Sequence, residues 1–213
     1  ATDSSGNAIT LTNNSSTSYA FGKYGNAGSF VAASTDYFST ATTISGVQSV
    51  SFWTFNASTT DEYVNLTSGA YITSSSGTVS ATGFTSPTIY VNGVVNGTLT
   101  ASVWNLVTVT TSTSIAANAF EVGRANSAYH NGKIDEIRTY NRILTPAEIS
   151  QLYNFGPSPV GYWDFETIDQ SNLYDRSGNA NNGTWAGATT SRYPLGKYGR
   201  SGTFNGSSDV VTV

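Results

Sequence analysis

The chain has 213 residues, 38% apolar and 13% aromatic, which suits a packed core rather than a disordered chain. It has no cysteine, which removes disulfides, thiolate catalysis and Cys-ligated metals. Charged residues make up only 10%, the formal net charge is −4, and the nine Lys and Arg are too scattered to form the basic stripe a nucleic acid needs.

The polar residues are mostly Ser, Thr, Asn and Gly, a composition that suits an extracellular β protein. No apolar run approaches the ~20 residues that cross a bilayer, so no membrane insertion is expected. A secretory targeting segment would lie outside this sequence.

In chain order, the first motif is one that returns. Asp3-Ser4-Ser5-Gly6-Asn7-Ala8 recurs as Asp175-Arg176-Ser177-Gly178-Asn179-Ala180, and Gly22-Lys23-Tyr24-Gly25 recurs as Gly196-Lys197-Tyr198-Gly199. The spacing of about 173 residues is that of a whole domain, not of a solenoid unit. The sequence thus divides into a domain over 1–157 and the first quarter of a second copy over 158–213. A piece of that size is too small to bury a core of its own.

Strand signals follow. Val50–Phe55 is apolar on both faces. Thr88–Val91 runs into Asn92-Gly93, a tight-turn pair, and Val94-Val95 leads to a second, Asn96-Gly97. Trp104–Thr110 alternates, and Phe120–Gly123 and Ile134–Tyr140 are two more strands. Short turns rich in Gly, Asn and Ser separate them, the pattern of an antiparallel sandwich or barrel. One helix is expected over 146–153. Thr145 stands at its N-cap, Pro146 at N1 and Glu148 at N3, while Ile149, Leu152 and Tyr153 share one face. Gly156-Pro157-Ser158-Pro159 reads as a linker. Val160–Glu166 then reads as a new strand.

Three stretches resemble the concanavalin A-like, laminin-G-like jelly-roll domains found in tandem on bacterial surface proteins. They are Gly161–Glu166, Asp175–Thr184 and Gly196–Gly206. The family's ending is matched almost position for position by Gly132–Tyr153. The resemblance implies an all-β, antiparallel two-sheet jelly-roll sandwich with one short C-terminal helix. Phe52, Trp104, Leu106, Val109, Ile134 and Ile137 are its expected core. In that fold the first and last strands lie close together. The first strand, missing from 1–157, is therefore supplied either by 160–166 or by an unseen strand upstream.

Candidate chemistry is sparse. Asp164 and Glu166 have the two-residue spacing of glycosidase carboxylates, but they alternate with the core-type residues Trp163 and Phe165. No catalytic residue is assigned, and the chain is read as a non-enzyme. His130, the single histidine, lies in a loop and reads as solvated; without a partner His or Cys it supports neither triad nor zinc site. The resemblance implies a structural Ca²⁺, with Asp135 as first candidate ligand and Asp164 and Glu166 as co-ligands. The alternative pairs Asp135 or Glu136 with Arg138 or Arg142. Exposed aromatics and amides suited to glycans are Tyr63, Tyr71, Tyr129 and Trp185, with Asn126 and Asn131.

The functional expectation is a structural or adhesive module of an extracellular, filament-forming or tandem-repeat surface protein. Its partners would be neighbouring copies of itself, met head to tail through Tyr162, Trp163, Phe165, Phe204 and Val211. The alternative is a lectin-like module binding glycans or cell-surface proteins.

Overall fold

The computed structural model describes residues 1–155, 160–177, 179–196 and 199–213. The chain divides into two compact units, Ala1–Phe155 and Gly156–Val213. The expected linker, Gly156 to Pro159, and the boundary at 157 lie outside the described residues.

The first unit is a sandwich of two antiparallel sheets. The six-stranded sheet runs Thr12–Asn14, Tyr37–Ser39, Glu121–Val122, Asp61–Thr67, Ala70–Ser75, Thr78–Thr82. The seven-stranded sheet runs Val94–Val95, Thr88–Val91, Asn105–Ala117, Ile44–Asn56, Gly132–Tyr140, Asn26–Phe30, Ser18–Phe21. Sequence neighbours are split between the sheets, as in a jelly roll. The first expected turn forms, with Asn92 and Gly93 both at positive φ.

Side chains alternate across a strand, so cross-strand rows show which face each residue joins. One row of the six-stranded sheet is Asn13, Phe38, Val122, Val64, Ile72 and Ala81. From Phe38 to Ala81 it faces inward and meets Val50, Phe52, Val91, Val107 and Val109 of the other sheet in one core, while Asn13 at the edge is exposed. Ile134 is buried there too, and Ile137 is partly buried at its edge.

Trp104 departs from the expectation. The strand begins at Asn105, and Trp104 is only half-buried, its ring 5.6 Å from that of Phe55. Leu106 is buried, but it pairs in register with Trp53, on the face away from Phe52. Both faces of this strand are covered, so its alternation alone does not say which face meets the inter-sheet core.

The outer cover of the seven-stranded sheet is helix α1, Pro146–Tyr153. Thr145 accepts from the Glu148 amide and Glu148 accepts from the Thr145 amide, closing the expected capping box. Ile149 is fully buried with Tyr90 and Leu144, and Leu152 packs on the same cluster. Tyr153 stacks on Trp53 at 5.9 Å. Ser49 Oγ donates to the Arg142 carbonyl and accepts from the Leu144 amide, tying the segment before the helix to the sheet. The helix thereby covers part of that sheet's outer face.

The second unit carries a three-stranded sheet of Asn172–Leu173, Gly183–Ala186 and Val210–Thr212. Contrary to expectation it buries a small core of its own, Leu173, Trp185 and Tyr193. The Trp185 indole donates to the Tyr193 hydroxyl at 2.7 Å, which satisfies the one polar atom of a buried Trp. Leu195, Phe204, Val210 and Val213 remain exposed as expected, whereas Trp163, Phe165 and Val211 pack against the small core. Val160–Glu166, read as a strand, forms none.

Candidate functional site

With the helix covering one sheet, the outer face of the six-stranded sheet stays open. Its outward row is Thr12, Ser39, Glu121, Asn65, Tyr71 and Thr82. Neighbouring strands stand ~4.8 Å apart, so these side chains form a continuous polar strip. Beside it lies a cluster of three larger groups. Tyr37 comes from the same strand as Ser39, two residues before it, and Arg124 and Tyr129 from the short hairpin Arg124–Ala125/Ala128–Tyr129.

The Arg124 guanidinium lies 5.3 Å from the Tyr37 ring centre and 5.5 Å from that of Tyr129. The two rings are 6.1 Å apart. Glu121 accepts from Arg124 Nη1 at 2.8 Å. Partial burial works against the guanidinium charge, but Glu121 outweighs it, so the Arg124 pKa sits above its ordinary value. Arg124 Nε is buried without a hydrogen-bond partner. The arrangement offers two ring faces and edges, fixed donors and a carboxylate acceptor on a rigid sheet. Those are the groups that recognise a ring bearing several hydroxyls.

The hairpin is held from below by His130. Contrary to the solvated reading, its side chain is completely buried between the rings of Phe30 and Tyr63. Its Nδ1 lies 3.1 Å from Asp61 Oδ1, and its backbone amide donates to the Gly123 carbonyl. Its loop position in the sequence carried no signal of this burial.

Of the residues singled out for glycan contact, Tyr129 lies in this cluster and two are buried. Tyr63 is fully buried, its ring 5.4 Å from Phe52 and its hydroxyl hydrogen-bonded to Ser74. A register shift between Glu62 and Val64 turns it inward, and burial pushes its phenol up to about 12. Trp185 belongs to the small core of the second unit. Asn131 is exposed, and its amide donates to Asp61 Oδ1. Tyr71 lies on the open strip. Tyr37, Arg124 and Glu121 were missed, because only the pairing of distant strands brings them together.

The carboxylates expected to hold calcium have other partners. Asp135 is buried, accepting from the Tyr24 amide on Oδ2 and the Glu136 amide on Oδ1. Gly22 presses so close that a Cβ there would come within 2.4 Å of Oδ2. Surrounded by N–H donors, Asp135 does not fit a calcium ion, which needs six to eight oxygen ligands. Glu136 pairs with Arg138. Asp164 lies 3.5 Å from Arg176, and Glu166 accepts from the Arg200 amide. Among the described residues no group of three His, Cys, Asp or Glu is placed to hold a metal. No helix is long and apolar enough to cross a membrane.

No curated protein and no solved structure matches the chain. A laminin-G family model, described as the concanavalin A-like lectin/glucanases superfamily, matches residues 1–150. Its span takes in both sheets of the first unit, and the chain belongs to that superfamily.

Proposed function

We propose that the chain is a non-catalytic, adhesive binding module of an extracellular surface protein, and that the open face of its six-stranded sheet takes carbohydrate. The observation that carries this is the cluster of Tyr37, Arg124, Tyr129 and Glu121 on the outer face of the first unit's six-stranded sheet, the sheet that the helix does not cover. Few, well-placed polar groups among aromatic rings are the usual makeup of a small-molecule site. The superfamily's description spans lectins and glucanases. The lectin side is favoured because Glu121, the carboxylate in the cluster, is engaged by Arg124 rather than facing a second carboxylate. An extracellular setting is supported by the Ser-, Thr- and Asn-rich, cysteine-free composition.

A glycan-array screen of the full chain tests the reading. Binding to a defined saccharide class, lost in Tyr129→Ala and Arg124→Ala while the far-UV spectrum is unchanged, is the expected result. Release of new reducing ends from that saccharide would make the module an enzyme and overturn the non-catalytic part.

A further inference from the structure

The open sheet face is one-sided in charge. Its six strands contain three charged residues, Asp61, Glu62 and Glu121, and neither Lys nor Arg. Asp61 is buried beside His130, which leaves Glu62 and Glu121 to charge the surface. Residues 1–155 include five Lys and Arg in all. Four of them are engaged elsewhere. Lys23 lies over Trp53 and Lys133 over Phe55, both on the other sheet. Arg138 pairs with Glu136, and Arg142 with Glu148. Within the first unit Arg124 alone brings a positive charge to the open face, and Glu121 already offsets it.

Glu62 has no such partner. It pairs in register with Thr73, which neighbours the core residue Ile72 and in turn pairs with Ser80. Side chains alternate along a strand, so Glu62, Thr73 and Ser80 share the outer face, where Glu62 is half-buried. Glu121 and Val122 pair with Asn65 and Val64, and the Gly123 amide donates to the Tyr63 carbonyl. The chain thus runs on antiparallel to Asp61–Thr67 and brings Arg124 alongside Glu62. Among the described residues no Lys, Arg or His forms an ion pair with Glu62. Burial, and then the Asp61 carboxylate, hold its carboxyl above the ordinary value, with His130 opposing them.

We propose, on the reading that this face takes carbohydrate, that it selects uncharged saccharides over acidic ones, and that Glu62 sets the preference. A sugar hydroxyl is both donor and acceptor, so it can donate to a carboxylate and accept from a guanidinium. An ionised uronate or sulfate only accepts, and it is held well where a cation is free to pair with it. Here it meets a guanidinium already offset by Glu121 and, alongside, an unpaired carboxylate. Like charges repel more strongly in a partly buried site than in bulk water, because screening is weaker there. Specificity then comes from repulsion of the wrong ligand as much as from attraction of the right one.

The test compares matched ligands. Oligomers of neutral hexoses and of the corresponding hexuronic acids are titrated against the full chain at neutral pH and low ionic strength. The expected result is hexose binding ~5-fold tighter than hexuronate, the scale of one partly exposed charge pair. The preference should narrow as salt is raised. Glu62→Gln keeps the size and removes the charge, and should bring the two ligands within ~2-fold by strengthening hexuronate binding. Glu136→Gln removes the same charge from the other sheet and should leave the ratio at its wild-type value. Equal or tighter binding of hexuronate by the wild type overturns the proposal, as does a wild-type preference indifferent to salt. A ratio unmoved by Glu62→Gln overturns it too. So does one moved as far by Glu136→Gln, because the preference would then belong to the overall charge of −4. Binding of neither ligand across the panel overturns the carbohydrate reading itself and this proposal with it, so the two failures are told apart.

Discussion

Asp135 gives the most quantitative prediction. It is 7% exposed, and desolvation raises its pKa from 3.8 to about 6, against the lowering effect of the amides that donate to it; Glu136 adds to the rise. A native pKa above the unfolded one means the folded state holds the proton more tightly. The contribution to stability is therefore fully present below about pH 4 and is lost as pH rises through about 6. Two pKa units correspond to ~3 kcal/mol. Asp135→Asn removes the titration but keeps the shape. Urea unfolding of both proteins between pH 4 and 7 isolates the effect, since their difference cancels titrations elsewhere. The variant should gain ~3 kcal/mol on the wild type between pH 4 and 7. A carboxyl resonance of Asp135 titrating near pH 6 is the direct counterpart. A stability difference flat across that range would refute the reasoning and place Asp135 in contact with solvent.

Other outcomes follow from the same structure. Thr145→Ala opens the capping box and should lower stability by ~1 kcal/mol in thermal or urea unfolding. Glu148, held at about 2 chiefly by Arg142 and then by Thr145, contributes stability above pH 4.5 that is lost as pH falls towards 2, so the wild-type and Thr145→Ala melting curves should converge at acid pH. Phe52→Ala, at a fully buried site, should destabilise by ~3–5 kcal/mol, and Trp104→Ala, at a half-buried one, by clearly less. Melting temperature should not change with EDTA; a drop would restore calcium to the account.

Much of the fold was legible because its signals are local. The Asn92-Gly93 turn, the Thr145–Glu148 cap and the apolar runs of Val50–Phe55 and Val107–Val109 each report on a few consecutive residues. The site was not, because it is assembled across strands. Tyr37, Glu121 and Arg124 are separated by more than eighty residues at their extremes, and no spacing rule joins them. The misplaced residues have definite causes. A bulge turned Tyr63 inward, the strand began one residue after Trp104 and left it half-buried, and a core of three residues in the second unit hid Trp185. The loop position of His130 suggested solvent, yet its ring is fully buried between Phe30 and Tyr63, with Nδ1 3.1 Å from Asp61 Oδ1. The repeat was an informative long-range signal, because Asp3 accepts from the Ser5 amide as Asp175 accepts from the Ser177 amide.

The account rests on the open sheet face as the place where ligand is held. Backbone amide spectra recorded with and without a saccharide chosen by array binding test that most directly. The predicted result is a set of shifts confined to Tyr37, Tyr71, Glu121, Arg124, Tyr129 and their immediate neighbours. Shifts centred instead on the helix Pro146–Tyr153, or on the groove between Ala1–Leu11 and Glu136–Tyr140, would contradict it.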